Sequence, residues 1–595
     1  MVGCRETEKS NTSKPIIKKT KIIPCWLKVL YTVFMFLRNL FSKKGFLNYI
    51  AITIIIIAGL LLVADLFFIP GRAITFDGHI HMATIAQFAA AIKELEIPVR
   101  WSNNFANYGL PLPIFAHQIP AYLGAFFEIL VNNPVMSFNL TMLIGVIGSS
   151  VAFYLLLREY VDTAYALIGA LIFNFAPYRI INIYIRGALP ELFASMFLPI
   201  ILIGIVKWFR DKKPYAIVIC VLGITGLALT HPMLLFPSSL VFLPFVIYYN
   251  WPLNKNWLNL LKFGGVCLIA AGLASYYLLP LLLESKYFYI GQTQNLFVSH
   301  SFLNISNYFQ EKWFYFLGHP GPRGDHIIFG LIESIILVIG FVIALLNFIK
   351  TRQVKLVQLL VFISLLLFFS TLPVSKALYE NIFLLDNLQF SWRMIGLLLF
   401  IPPFLLVILF QKFIKNKKLG IVFGILALVV VLFYRVPQLY QKNSTVYDVS
   451  NYYFVHTNLH TKNLNTIWSD DSENYPVKTK QFEIVEGEGE VEPILLKNSK
   501  RHYQVKTNQE LKMVDYTFYF PGWKVFANGE EILIEFQDPE HRGLITYQLP
   551  AGKYLVEVIY TNTKVRSLGY LLSVFSGGVL LGLVCLIRKK IKQKS

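Results

Sequence analysis

The 595-residue chain is 55 % hydrophobic, has a mean hydropathy of +0.56 and carries a net charge of +20. Its apolar runs are long enough to cross about 30 Å of hydrocarbon as helices of about 20 residues, which excludes an ordinary soluble enzyme and predicts a polytopic α-helical membrane protein. Lys and Arg fall mainly in short segments between these runs, so the positive charge reports orientation and gives no ground for a nucleic-acid partner.

Residues 1–47 read as a basic cytoplasmic N-terminal region containing "KPIIKKTK", and residues 48–69 as a first span. No small-residue cleavage site follows that run, so the span is expected to remain uncleaved. Further spans are predicted at 135–157, 164–178, 191–209, 215–230, 232–249, 258–283, 327–349, 354–372, 393–411, 419–434 and 567–587, twelve in all. With both termini cytoplasmic, the inner turns carry "LREYVD", "KWFRDKK", "NWPLNKNW", "NFIKTRQVK", "QKFIKNKK" and the tail "RKKIKQKS", each with positive charge. The outer side then receives residues 70–134, 179–190, 284–326 and 435–566. Cys220, Cys267 and Cys585 lie in apolar runs and Cys4 and Cys25 near the N-terminus, a distribution that implies neither a disulfide framework nor a Cys-ligated zinc site.

This division gives a transmembrane domain over 48–434 with its outer loop 70–134, an extracytoplasmic all-β domain over 435–566, and a last transmembrane helix and basic tail over 567–595. In the first loop, "HMATIAQFAAAIKEL" aligns His81, Ile85, Phe88, Ile92 and Leu95 on one stripe, the pattern of a helix lying along the membrane surface. The following "PVRWSNNFANYGLPLPIF" reads as a loop. Within 435–566, "MVDYTFYF", "WKVFANGEEILIEF" and "KYLVEVIYTN" alternate like short strands of a small sandwich, and Asn528-Gly529 signals a hairpin turn.

The chemistry-bearing residues cluster in the outer segments. Asp77 in "TFDGHIH" either caps the helix that follows or acts as an acid or base, and if cap and helix share a register Asp77 and His81 lie near one face while His79 points away. His79 and His81 also permit a divalent metal, although two imidazoles fall short of a full ligand set. Arg179 is expected to snorkel to the interface. Arg186 and Glu191, flanking "GALP", are placed to face a common cavity with the first loop, as a brace or as substrate contacts. His231 is either a half-exposed residue of a tight turn or a phosphate or hydroxyl contact. Trp392 reads as an interface anchor, and Arg393 as a contact to lipid headgroups or to a lipid-linked phosphate. Glu284, Lys286, His300, His319 and Asp325 populate the third outer segment without a ranking. No P-loop, GxSxG, HExxH or dinucleotide fingerprint stands in a fitting context.

An uncleaved first span followed by a long outer loop that opens on "FDGHIH" resembles the membrane glycosyltransferases of the GT-C fold. A closer resemblance is to the bacterial membrane family catalogued as 6-pyruvoyl-tetrahydropterin synthase-related, carried by "FDGHIHMATIAQF", "YGLPLPIFAHQIPAYLG", "RGALPELFASMFLPIIL", "LTHPMLLF", "LQFSWRMIGLL" and "YFPGWKVFANG". The chain is similar as well to large bacterial proteins that help glycosylate cell-wall polymers, through "PGWKVFANG" and "LPAGKYLVEVIYTN". The soluble pterin synthase is a small α/β zinc enzyme, of which this chain of spans echoes only "HIH". The GT-C resemblance implies Asp77 as general base, Glu191 as a second acid, and Arg186, His231, Arg393 and His81 around a donor phosphate. It implies transfer of a sugar from a polyprenyl phosphate to an extracytoplasmic glycan or other acceptor, in contact with membrane lipids. No metal is required, and the first loop lacks a paired Asp-x-Asp. A transporter or lipid-handling protein and a non-catalytic cell-wall glycosylation subunit are the rival expectations.

Overall fold

The computed structural model describes residues 45–593 apart from 106–107, 255–256, 290–300, 312–326, 383–384, 386–387, 440–443, 447–451, 453–464, 470–474 and 477. The basic region before residue 45 and the candidates His300, His319 and Asp325 therefore lie outside the described residues. The chain divides into two units, Met1–Asn48 and Tyr49–Ser595, and the helix Gly45–Val63 begins in the first.

Each of the twelve expected spans has a helix at its place. Among the described residues eight helices are long and apolar enough to cross a membrane singly, and up to eleven spans result if three bent helix pairs each count once. The twelfth, Ala216–Thr230, has 15 residues, fewer than a crossing usually needs. Two of the bends have a plain cause in sequence. Proline disfavours helical backbone in the residue before it, and Ala176 and Leu372 are extended (ψ 144° and 152°) ahead of Pro177 and Pro373. The helix axes turn by 47° and 83° at these places, and the pair Trp257–Leu273 and Ser275–Tyr287 turns by 77°.

The helix predicted to lie on the membrane surface is Gly78–Lys93, but its residues from Met82 to Ala89 are buried without interruption. It is enclosed by the helices Gln118–Val131 and Pro134–Leu157, and Gln87 donates to the Tyr452 carbonyl at 3.0 Å. Leu95 leaves the expected stripe, with a positive φ of 66° and 86 % exposure.

A short pair, β1 (Arg72–Ala73) and β2 (Ser444–Thr445), joins the two ends of the helical region. The β region proper runs from β3 (Phe482–Glu486) through β4 (Gly489–Leu496), β5 (Lys500–Thr507), β6 (Leu511–Phe518), β7 (Trp523–Ala527), β8 (Glu530–Ile532) and β9 (Leu544–Leu549) to β10 (Gly552–Tyr560). Its sheets have the orders β4-β5-β10-β7-β8 and β3-β6-β9, all antiparallel, and both contribute to one core through Val505, Met513, Val525, Tyr547 and Val558. Asn528-Gly529 forms the β7–β8 turn with φ of 50° and 87°, the two positive values a type I′ hairpin requires.

The loop after the buried helix is built into this β core. Trp101 is fully buried there, its ring centroid 5.0 Å from that of Trp523, and Ile114 and Phe288 join the same cluster. Phe518 donates its backbone N–H to the Tyr108 carbonyl at 3.0 Å, and Asn498 Nδ2 donates to the Trp101 carbonyl at 2.6 Å. Gly109 is needed at this junction: its φ is +84°, and a Cβ there would stand 2.7 Å from the Trp101 indole nitrogen. Glu284 turns out to be a tie. It receives Arg566 Nε at 2.9 Å and Nη2 at 2.8 Å, coupling the helix Ser275–Glu284 to the start of the last helix, Lys564–Lys592.

Candidate functional site

The site begins with a backbone latch. After Pro177–Ile181 the chain widens into a π-helical turn, Asn182–Arg186, and ends it on Gly187 at φ +64°. Such turns are rare and recur at functional sites. Here the freed carbonyls are used, because Phe76 donates to the Ile185 carbonyl at 3.0 Å and Asp77 to that of Arg186 at 2.7 Å. A Cβ on Gly187 would lie 2.5 Å from Thr75 Oγ1 and 2.9 Å from the Gly78 nitrogen, so this close approach requires glycine.

The latch overturns the capping role of Asp77. Asp77 occupies the position before the helix Gly78–Lys93, yet its side chain makes no capping bond. Thr75 Oγ1 accepts from the Gly78 N–H at 3.1 Å instead. The Asp77 carboxylate is thus released from local service, and 42 % of the side chain remains accessible. Removal from water pushes its carboxyl above the ordinary carboxylate range, while Arg186 and then Arg393 pull it down. Residual solvent contact at this exposure screens part of both effects.

Across from Asp77, Glu191 holds two guanidinium groups. Its Oε1 is 2.7 Å from Arg186 Nη1 and 3.4 Å from Arg393 Nε, and its Oε2 accepts from Tyr178 Oη at 2.7 Å and from Asn182 Nδ2 at 3.3 Å. Arg186 also reaches Asn182 Oδ1 at 2.8 Å and Asp77 Oδ2 at 3.7 Å, and lies 4.5 Å over the Trp392 ring. Arg393 Nη1 donates to the Leu388 carbonyl at 2.8 Å. Both oxygens of this carboxylate are thus engaged by donors. The geometry therefore fits Glu191 as the counter-charge of both arginines better than as a second proton donor.

Two interface expectations fail for the same reason. Trp392 is fully buried under Arg186 and cannot anchor a lipid interface. Arg179 does not snorkel: it is 1 % exposed, stacked 4.3 Å over Phe173, with Nη2 3.3 Å from the Val146 carbonyl. The bend at Pro177 turns it into the bundle.

One cavity of about 220 Å³, roughly seven water volumes, is lined by Asp77, Arg186, Glu191 and Arg393 together with three histidines. His81 comes from the buried helix, His117 immediately precedes Gln118–Val131, and His231 sits between Ala216–Thr230 and Pro232–Asn254. His231 is 3 % exposed, which displaces the reading of a half-exposed turn residue. Burial holds the His81 and His117 imidazoles at about 3, assisted by His79 and Arg186 for the first and by His81 and Arg393 for the second. His117 was not singled out in the sequence, where "FAHQIP" shows only a histidine ahead of a proline-bearing helix start. His79 does not line the cavity. Among the described residues no three His, Cys, Asp or Glu side chains gather in a group that could hold a metal ion.

Comparison with known proteins adds the following. The profile of the family described as "6-pyruvoyl-tetrahydropterin synthase related domain; membrane protein" matches residues 115–442, more than half of the chain. An uncharacterised protein of Lactococcus lactis subsp. cremoris is 26 % identical over 325 residues, 52 % of this chain and 51 % of the relative. The chain thus spans about half the length of the curated relative it matches. Among solved structures, the apo oligosaccharyltransferase of Archaeoglobus fulgidus superimposes with a TM-score of 0.45 at 13 % identity, over 68 % of this chain and 57 % of that one. The oligosaccharyltransferase AglB from the same organism, in complex with an inhibitory peptide and a dolichol-phosphate, gives 0.40 at 13 % identity over the same shares.

Proposed function

The chain belongs to the 6-pyruvoyl-tetrahydropterin synthase related family of membrane proteins, and we propose that it is a membrane glycosyltransferase that moves a sugar from a polyprenyl phosphate to an acceptor outside the membrane. One observation carries this reading: a carboxylate free of capping duty, Asp77, faces two arginines joined by Glu191 across a single cavity. The acceptor hydroxyl loses its proton to Asp77 as its oxygen attacks the anomeric carbon. The bond from that carbon to the phosphate oxygen breaks, and its electron pair leaves with the phosphate. Arg186 and Arg393 are fixed in advance where that negative charge grows, a placement that lowers the barrier without reorganisation. Displacement in one step inverts the sugar carbon. Glu191 keeps both guanidiniums in register.

The basic turns and tail favour cytoplasmic termini, a β domain outside and a multi-pass position in the cell membrane, with an envelope glycan as acceptor. The test is Asp77→Asn at matched expression, followed by mass spectrometry of lipid-linked sugars and surface glycans. Accumulation of one polyprenyl-phosphate sugar is expected, and unchanged glycosylation would remove Asp77 from the base role.

The three bent helix pairs favour a second reading, a transporter with its site at broken helices. Uptake of an unmodified substrate into proteoliposomes would select it.

A further inference from the structure

The fixed charges lining the cavity cancel. Arg186 and Arg393 face Asp77 and Glu191, two cations against two anions. A phosphate entering such a site brings negative charge that this balanced quartet has no surplus to match.

The histidines supply what the quartet lacks. His81, His117 and His231 come from three separate places in the chain and stand in a row, with ring centroids 6.3 Å apart for the first pair and 5.2 Å for the second. His117 Nδ1 and His231 Nδ1 are buried with no hydrogen-bond partner among the described residues. Buried polar atoms without partners are uncommon in folded proteins, and the two residues that carry them line the same cavity. The row is hemmed in by charge: His117 faces His81 on one side, His231 on the other, and Arg393 and Glu191 beyond, while His231 faces His117, Arg393 and Arg186. His81 has His79, Arg186 and the Asp77 end of its own helix beside it.

Resting on the transferase reading, we propose that His117 and His231, continued by His81, form the anion-binding wall of the cavity and take up a proton when a lipid phosphodiester enters. Imidazole is the side chain whose charge changes near neutral pH. In the empty cavity, burial and the neighbouring cations hold the row neutral. An anion within about 4–6 Å reverses that field and favours the imidazolium, which then donates to the phosphate oxygens. Atoms balance, since the proton comes from solvent and the phosphodiester keeps its single negative charge.

Calorimetry on the full-length protein in maltoside detergent tests this with farnesyl methyl phosphate, a diester with no proton of its own to exchange between pH 5.5 and 8. Heats measured in two buffers of different ionisation enthalpy report the protons bound. Uptake that rises as pH falls, reaching up to about half a proton per protein at pH 6, is expected, with Kd tightening by up to about tenfold for each pH unit lowered. The double variant H117Q/H231Q should bind more weakly and take up close to none. Uptake near zero in the native protein, absence of binding, or full uptake retained in a double variant that elutes as the native protein would each overturn the proposal. If the double variant does not fold, the single variant H117Q decides, with at least a halving of uptake expected and unchanged uptake overturning it. No acceptor is present, so a failure of the transferase reading, seen as unchanged glycans in Asp77→Asn, leaves this result readable on its own.

Discussion

Two buried arginine clusters in this chain are solved differently. In the β region, Arg501 gives Nη1 to Asp515 Oδ1 at 2.9 Å and to Thr517 Oγ1 at 2.8 Å, and Nη2 to Asn103 Oδ1 at 2.6 Å and the Asn498 carbonyl at 3.2 Å. Asp515 in turn accepts from Tyr503 Oη at 2.8 Å and Gln481 Nε2 at 2.9 Å. That network is closed, and it rivets the loop at Asn103 to the sheets. In the cavity, Arg186 and Arg393 are charge-paired, but Arg186 Nε and Arg393 Nε make no hydrogen bond among the described residues, and neither do His117 Nδ1 and His231 Nδ1. A satisfied buried ion pair specifies structure, whereas donors left over around a cavity mark a place built for something else to bind.

The contrast can be broken most forcefully at its closed end. Asp515→Ala leaves Arg501 buried and uncompensated, and should cost about 3–5 kcal/mol. Thermal unfolding of the full-length protein, followed by tryptophan emission, reads this; a melting point unchanged from the native protein would dissolve the distinction. At the open end the balance reverses. Arg393→Gln leaves Glu191 still bound by Arg186 and Tyr178, so the loss of stability should stay at about 1–2 kcal/mol, below that of Asp515→Ala, while transfer falls about 10²-fold. A loss of fold equal to that of Asp515→Ala would make the two clusters alike.

Gly187→Ala probes the latch between them. A side chain at φ +64° costs about 1–2 kcal/mol, and its Cβ must displace Thr75 or Gly78. Transfer should therefore drop more than stability does, because Asp77 hangs from the same backbone bonds. Thr75→Ala removes only the acceptor of the Gly78 N–H, worth about 1 kcal/mol, and hydrogen exchange at the start of Gly78–Lys93 should quicken with little loss of activity.

The smallest effect is a displacement along the pH axis. In the proposed transfer Asp77 must be ionised to serve as the base, so the rate should fall as pH drops through its carboxyl, and that limb should lie above the ordinary carboxylate range. Arg186 and Arg393 lower this carboxyl, so Arg393→Gln should move the limb to higher pH. A limb that stays in place would show that the two groups do not sense one another.

Much of this was legible along the chain. Hydrophobic length located the helices, and alternation with Asn528-Gly529 located the sheets and a hairpin. Asp77, Arg186, Glu191, His231 and Arg393 stood out because charge and imidazole beside apolar runs are expensive. His117 did not stand out, since one histidine before a helix carries no periodic or spacing signal. Whether Asp77 caps its helix was open in the sequence because Thr75 and Asp77 are both suitable acceptors; in the fold Thr75 takes the Gly78 N–H while the Asp77 backbone is held by the turn at 182–187, more than a hundred residues away.

Which segments are apolar helices, which are strands and which polar residues had to find partners follows from local properties, periodicity and solvation cost, and so could be read along the chain. The partners themselves were chosen by the fold. It seated Trp101 in the β core, turned Arg179 inward, made Glu191 the counter-charge of two arginines, and brought His81, His117 and His231 into one wall. Apart from Arg186 with Glu191, five residues apart, those contacts bring together residues tens to hundreds of positions apart, fixed by packing and charge compensation across elements, which no local pattern encodes.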